Sequence, residues 1–196
     1  MLKTPDTQLI ARAQHDSRQF AQLYQKYALK VYNYFWYRLH QDNDLAKDLT
    51  QETFLKAFEH LTHFQSHGHS YLTYLLKIAH NILVNQYRRP STLSLDSLAN
   101  AEDIPEEITG TDQDKERLEL AWRAVNALPP QEKDLMLLRY HKGLSVREVA
   151  HVVGKSENAV KLALSRIQRK LRHQAPNAAI SKLGEHAATL QPLSFL

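Results

Sequence analysis

The chain has 196 residues and carries 25 Lys and Arg against 21 Asp and Glu, so its net charge of +4 is only mildly basic. It contains no cysteine, which excludes a disulfide framework and a thiolate metal site. No apolar run approaches the ~20 residues of a membrane span, and the N-terminus lacks the apolar core of a signal peptide. These features predict a soluble, cytoplasmic protein, and the scarcity of glycine and of β-branched alternation predicts an all-α fold.

Apolar residues recur at helical spacing in the first half of the chain and predict four helices, at about 6–14, 17–40, 44–63 and 71–89. Asp16, three residues before Gln19, is a candidate N-terminal cap of the second helix, and Asp42 and Asn43 are cap candidates for the third. A polar turn, HFQSHGHS, precedes the fourth helix, and Pro90 ends that helix. The inward face of the third helix is predicted to contain Leu45, Leu49, Ala57, Phe58 and Leu61. The four helices predict a first domain at residues 1–90.

Composition changes after Pro90. Residues 91–114 contain seven acidic residues and no Lys or Arg. The segment is therefore predicted to be an acidic, flexible linker. A solvated linker is the default interpretation, and a strand that mimics or follows nucleic acid through a basic channel is the alternative. A second helical domain is predicted at 115–173, followed by a tail at 174–196.

The second domain is predicted to begin with helices at 116–128 and from Pro130 to about Gly143. Residues 144–172 then predict two short helices around a turn. Ser145 and Glu148 have the spacing of a capping box, Gly154 ends the first helix, and Ser156 caps the second. The buried face of the second helix is predicted to contain Val160, Leu164, Ile167 and Leu171. This is the plan of a helix-turn-helix, whose second helix enters the major groove of DNA.

Charge favours DNA binding over an ordinary solvated helix. Residues 155–172 contain six Lys and Arg and one acidic residue, Glu157. A local excess of positive charge suits the phosphate backbone, which supplies most of the non-specific affinity for DNA. Two amphipathic helices around a glycine also occur in many all-α proteins, so the pattern alone does not define a function.

Three stretches of the chain carry a family pattern: LAKDLTQETFLKAF and YLLKIAHNILVNQYRR in the first half, and ALPPQEKD to SRIQRKLR in the second. Through them, both halves of the chain resemble the extracytoplasmic-function (ECF) group of bacterial RNA polymerase sigma factors, part of the sigma-70 family. The first stretch, LAKDLTQETFLKAF, is similar to the family's core-binding segment, A-E-D-L-x-Q-E-x-F-L. YLLKIAHNILVNQYRR is similar to W-L-x-x-I-A-x-N-x-x-x-D-x-x-R-R. The stretch from ALPPQEKD to SRIQRKLR follows the family's L-P-x-x-x-R…G-L-S-x-x-E-I-A…G-x-S-x-x-T-V-K…L-R. The resemblance lies in both halves occurring in this order with a linker between them.

The resemblance implies a non-enzymatic factor that needs no metal or cofactor and whose partners are core RNA polymerase, promoter DNA and an anti-sigma factor. The implied polymerase-binding residues are Asp48, Gln51 and Glu52. The implied residues for the minus-ten element, which the fourth helix and the turn with Phe64 would open, are Tyr71, Tyr74, Lys77, Asn81, Arg88 and Arg89. For the minus-thirty-five element, the base-reading residues are Glu157, Asn158, Lys161, Leu162 and Ser165, and the phosphate-binding residues are Arg166, Arg169 and Arg172.

The chain departs from the family pattern at five positions that bear on promoter preference. They are Lys47 for the usual Glu, Tyr74 for Trp, Asn85 for Asp, Lys133 for Arg and Ala159 for Thr. Both Tyr71 and Tyr74 also have a structural alternative, as core residues. These departures leave the expected fold unchanged.

Three other functions compete with the sigma-factor interpretation. One is a helix-turn-helix regulator that binds DNA without polymerase, which leaves the first domain unexplained. Another is a metal-dependent enzyme built on His63, His67 and His69, although no matched carboxylate motif accompanies them. The third is an adaptor that has lost promoter binding. No Walker motif, nucleophile elbow or pair of catalytic carboxylates is visible.

Overall fold

The computed structural model describes residues 6–39, 42–88, 120 and 122–172. These residues belong to two compact units, which divide between residues 99 and 100. Every regular element in the described ranges is helical, so the predicted all-α class is confirmed. The predicted linker, the C-terminal tail and Arg89 lie outside the described residues. Within those ranges no helix is long and apolar enough to cross a membrane.

Four α-helices lie in the part of the first unit that the structure describes. They are α1 (Asp6–His15), α2 (Phe20–Trp36), α3 (Asn43–Glu59) and α4 (Tyr71–Arg88). Short 3-10 turns at Ser17–Gln19 and Leu61–His63 precede α2 and follow α3. Helices α2, α3 and α4 pack against one another, and α1 packs against α2 and the turn after α3.

Local capping explains where these helices begin. The Asp42 carboxylate accepts a hydrogen bond from the Leu45 amide at 2.9 Å, which satisfies a free N–H group at the start of α3. Asp16 accepts instead from the Arg18 amide at 3.1 Å and caps the 3-10 turn. Helix α2 therefore starts at Phe20, later than predicted, and it ends at Trp36 rather than near residue 40.

The core of the first unit lies between α2, α3 and α4. Its most deeply buried side chains include Leu23, Tyr34, Phe35, Tyr71, Leu75, Leu76 and Leu83. Thr50 and Thr53 on α3 are also buried, and their hydroxyls donate to carbonyl oxygens one turn earlier, at 2.7 and 2.8 Å. Phe58 is 42% exposed, so its predicted inward position is wrong. It packs edge-on against Phe20 at the surface, with 5.0 Å between ring centroids.

The described part of the second unit contains a helical segment at 122–126, labelled α5, and three further helices. They are α6 (Pro130–Met136), α7 (Val146–Val153) and α8 (Glu157–Arg172). Pro130 stands at the start of α6, where a missing N–H group is harmless. Helix α6 continues into a π-helical turn at Leu137–His141. The core includes Trp122, Val125, Met136, Leu138, Val149, Val160 and Leu171.

Candidate nucleic-acid interface

The helix-turn-helix of the second unit has the local structure that its sequence predicts. The Ser145 hydroxyl accepts from the Glu148 amide at 3.2 Å, and the Glu148 carboxylate accepts from the Ser145 amide at 2.9 Å, which confirms the capping box. Gly154 ends α7 with a φ of 65°, in the left-handed region that favours glycine. The Ser156 hydroxyl accepts from the Ala159 amide at 3.2 Å and caps α8.

One face of α8 is fixed to the rest of its unit. The predicted apolar stripe is buried, and it consists of Val160, Leu164, Ile167 and Leu171. Two contacts with α6 and its π-helical turn add to this packing. The Gln168 side-chain amide donates to the Tyr140 hydroxyl, and the Lys170 ammonium lies 3.1 Å from the Glu132 carboxylate. The orientation of α8 about its own axis is therefore defined by its buried side.

The opposite side, which we call the outer face of α8, is exposed along its whole length. It consists of Glu157, Asn158, Lys161, Leu162, Ser165, Arg166, Arg169 and Arg172. All eight residues were predicted to contact DNA. Leu162 is 53% exposed among polar neighbours. None of the four cations on this face forms an ion pair with another described residue, so their charge remains available to a phosphate backbone.

A second polar row runs along α4 in the first unit. Tyr74, Lys77, Asn81 and Arg88 are half-exposed or exposed. Their separations of three, four and seven residues place them on one side of the helix. We call these four residues the α4 row. The row carries an aromatic ring at its N-terminal end and cations further along, which are the groups that bind single-stranded nucleic acid.

Tyr71 was predicted to contact DNA together with Tyr74, but its side chain is only 2% exposed. Its ring lies among Tyr27, Phe64 and Tyr74, with centroid distances of 5.9, 5.1 and 5.6 Å. Burial raises the pKa of the Tyr71 hydroxyl well above its ordinary value. The ring therefore supports its neighbours from inside the core and offers no face to a DNA base.

The polar segment at residues 61–70, which we call the 61–70 turn, joins α3 to the α4 row. Phe64 is half-buried, and its ring centroid lies 4.7 Å from that of Tyr74. Gly68 has a φ of 78°, and the Ser66 hydroxyl donates to the His69 carbonyl at 2.9 Å. Ser70 caps α4 by accepting from the Thr73 amide at 3.1 Å. The turn thus presents exposed polar residues beside two partly exposed aromatic rings.

The histidines of this turn do not form a metal site. His63, His67 and His69 all lie in the described ranges, within which no three His, Cys, Asp or Glu side chains are arranged to hold a metal ion. His63 instead lies 3.0 Å from the Thr62 hydroxyl. The geometry gives no support to the metalloenzyme alternative.

Gln14 at the end of α1 contacts the same turn and was not singled out from the sequence. Its side-chain nitrogen donates to the carbonyl oxygens of Leu61 and Phe64 at 2.9 and 3.0 Å. The available signal was weak: Gln14 follows the buried Ile10 by four residues, which places a polar side chain on the packed side of α1.

The three predicted polymerase-binding residues lie together on α3. Asp48, Gln51 and Glu52 are exposed and occupy adjacent positions of one helical side. Leu55, which is 58% exposed, continues that side by one turn and was missed in the sequence. Glu52 also lies 3.5 Å from Lys56. The surface therefore combines carboxylates, an amide and an exposed apolar side chain.

Comparison with known proteins places these surfaces in a family. Residues 23–92 match Sigma-70 region 2, and residues 118–171 match Sigma-70, region 4. The chain is 33% identical over 178 residues to the ECF RNA polymerase sigma factor BldN of Streptomyces coelicolor, covering 88% of this chain and 66% of BldN. It is 31% identical over 156 residues to the RNA polymerase sigma factor YlaC of Bacillus subtilis, covering 76% of this chain and 88% of YlaC.

A solved structure supports the fold. The sigma factor RpoE of Bartonella quintana, in complex with the anti-sigma factor NepR, superposes with a TM-score of 0.58 at 20% identity, covering 89% of this chain and 99% of that one. The α4 row and α3 lie within the region 2 match, and the helix-turn-helix lies within the region 4 match except for its last residue, Arg172. The chain therefore belongs to the ECF group of the sigma-70 family of RNA polymerase sigma factors, which are non-enzymatic factors for promoter-specific initiation of transcription.

Proposed function

We propose that this sigma factor directs core RNA polymerase to promoters through two DNA-reading surfaces. The outer face of α8 reads the minus-thirty-five element, and the α4 row with the 61–70 turn reads and holds open the minus-ten element. The observation that carries the proposal is the outer face of α8, where every predicted DNA contact is exposed on a capped, well-packed helix. A well-packed helix whose cations form no ion pair with other described residues suits major-groove docking.

Base reading and phosphate binding are assigned to different parts of α8. Its N-terminal half, which reaches base edges in a helix-turn-helix, carries Glu157, Asn158, Lys161, Leu162 and Ser165. Glutamate accepts from cytosine, asparagine pairs with adenine, and lysine donates to guanine. An exposed leucine suits a thymine methyl group. Arg166, Arg169 and Arg172 follow and bind phosphates, which positions the helix without specifying sequence.

The α4 row and the 61–70 turn act on the minus-ten element. Opening a duplex exposes unstacked bases, and an aromatic face stabilises such a base. Phe64 and Tyr74 provide two rings beside exposed polar side chains of the turn. Lys77, Asn81 and Arg88 then follow the strand along α4, and Arg89 continues the basic end in the sequence. Tyr71 acts only by supporting the two rings.

Helix α3 binds core polymerase in this proposal. Asp48, Gln51 and Glu52 hydrogen bond a basic partner surface, and charge complementarity selects that partner. Leu55 supplies apolar contact within the same patch. An anti-sigma factor is the further partner that family membership implies, and the cytoplasm, where the polymerase is found, is the proposed location.

Run-off transcription tests the proposal. Purified core polymerase with and without the full chain is incubated with a library of genomic fragments, and transcripts are mapped. We expect start sites that depend on the chain and share two upstream elements. No chain-dependent transcript from any fragment would contradict the proposal. Recovery of DNA fragments by the chain without core polymerase would instead favour the helix-turn-helix regulator.

A further inference from the structure

Helix α1 contacts the 61–70 turn although it precedes residues 23–92, the part that matches Sigma-70 region 2. The contact is made by Gln14, whose side-chain nitrogen donates to the carbonyls of Leu61 and Phe64. Leu61 and Phe64 are 47 and 50 residues away in the sequence. The Gln14 side chain thus holds the backbone at both Leu61 and Phe64, where the chain turns away from α3.

The two acceptors define what this position requires. Both are carbonyl oxygens, so the side chain must present N–H groups, and an amide nitrogen supplies two. The Leu61 carbonyl also accepts from the Phe64 amide at 3.1 Å, which closes the turn locally. Gln14 is half-buried, where a lost hydrogen bond leaves its partners poorly solvated. Without Gln14, the carbonyl of Phe64 loses its anchor next to the aromatic ring.

The other end of α1 contacts the same aromatic cluster through a second path. The Asp6 carboxylate accepts from the Tyr27 hydroxyl, and the Tyr27 ring lies 5.9 Å from that of Tyr71. Tyr71 in turn contacts both Phe64 and Tyr74. Helix α1 therefore reaches the rings of Phe64 and Tyr74 by a direct backbone anchor and by a chain of packed tyrosines.

We propose that α1 holds the 61–70 turn in the conformation that captures an extruded base. In this proposal Gln14 is a positioning residue that keeps the Phe64 ring opposite the Tyr74 ring. The inference rests on the proposed minus-ten function and extends it to a residue that touches no DNA. Anchoring the turn before DNA arrives avoids the entropic cost of ordering it around the base. Loss of the anchor weakens capture of the extruded base and leaves polymerase binding unchanged.

The test pairs protein variants with a missing base. Holoenzyme is assembled from core polymerase and wild-type, Gln14→Glu, Gln14→Met or Gln8→Glu chain. Its affinity is measured by fluorescence anisotropy for a labelled single strand that spans the minus-ten element of a promoter found by run-off transcription. A series of strands lacks one base at each position in turn. Gln14→Met keeps the side-chain length without donors, and Gln8 is an exposed glutamine on the same helix.

We expect wild-type and Gln8→Glu holoenzyme to bind the intact strand roughly tenfold more tightly than the strand that lacks the captured base. Both Gln14 variants are expected to bind the two strands equally, at the affinity of the base-deleted strand. Affinity for core polymerase should match the wild type.

Three results would overturn the inference. Preserved discrimination in the Gln14 variants would show that no anchor is needed. An equal loss on both strands would indicate general damage to the unit rather than positioning. A wild-type holoenzyme that distinguishes no base deletion at any position would reject base capture itself, and with it the proposed minus-ten function.

Discussion

The Asp6 carboxylate at the start of α1 accepts a hydrogen bond from the Tyr27 hydroxyl on α2, at 2.5 Å. Asp6 is buried, and the Lys26 ammonium lies 2.6 Å from its other oxygen. A buried carboxylate is stable only when its oxygens are paired, and here a phenol and an ammonium supply both partners. The pair attaches α1 to the core of the first unit.

Exchanging tyrosine for phenylalanine at positions 27 and 71 should have unequal effects on stability. Tyr27→Phe removes a donor from a buried carboxylate and should cost about 1–3 kcal/mol. Tyr71→Phe removes a buried hydroxyl that has no hydrogen-bond partner among the described residues, and stability should stay constant or rise. Urea unfolding at neutral pH measures both. Equal losses at the two positions would contradict the assigned roles.

Stability of the first unit should fall above pH 10. Burial raises the pKa of both the Tyr27 and the Tyr71 hydroxyls above the ordinary value of 10.0. For Tyr27, the hydrogen bond to the nearby Asp6 carboxylate raises the pKa further. The folded state then keeps protons that the unfolded chain releases, so the contribution is complete below pH 10 and is lost as pH rises further, by about 1.4 kcal/mol per pH unit for each group. Urea unfolding between pH 8 and 11 measures this slope. The double variant Tyr27→Phe/Tyr71→Phe should show a shallower slope, and an unchanged slope would refute the cause.

The capping box of α7 should stabilise the second unit. Ser145→Ala leaves the Glu148 amide without its acceptor and should cost about 1 kcal/mol. Ser165→Ala, at an exposed position within α8, is the matched control and should change stability by less than about 0.5 kcal/mol. Thermal unfolding followed by circular dichroism compares the two. A control that loses as much as Ser145→Ala would argue against a capping role.

Two cations on the outer face of α8 should affect DNA binding differently. Lys161→Ala removes a base-edge contact and should cost about 1–3 kcal/mol on the preferred minus-thirty-five sequence only. Arg169→Ala removes a phosphate contact and should weaken binding on all sequences. The slope of log affinity against log salt concentration should become shallower by about one. Holoenzyme binding to specific and random duplexes across salt concentrations measures both. If both variants affected the two duplexes alike, the assignment of Lys161 to a base and of Arg169 to a phosphate would be wrong.

The exposed side of α3 should contribute to polymerase affinity. Leu55→Ala removes an exposed side chain of that patch, and Asp48→Asn removes a charge without changing size. Each should weaken binding to core polymerase, by about 1 kcal/mol or more if it lies centrally in the interface. Arg12→Gln, the control, removes one charge at an exposed position on a different helix, α1. Competition for labelled core enzyme measures the three, and an equal or larger loss for Arg12→Gln would contradict the assigned surface.

Local sequence was sufficient for most helix ends and for the outer face of α8. Capping side chains and a left-handed glycine act over a few residues, so Asp42, Ser145, Gly154 and Ser156 could be assigned from spacing alone. The periodic stripe from Val160 to Leu171 then defined which residues of α8 are exposed. Repeated apolar positions over several turns leave only one side for the remaining residues.

Tertiary packing decided the features that depend on residues far apart in the chain. Tyr71 and Tyr74 lie one turn apart on α4 and both contact Phe64, yet only Tyr71 is enclosed, because Tyr27 approaches it from α2. Periodicity likewise placed Phe58 inward, whereas the actual interface of α3 with its neighbours leaves it at the surface. The Gln14 anchor joins residues about fifty positions apart. Helical spacing specifies which side chains share a face, but the neighbours that cover the face are set by how the helices pack.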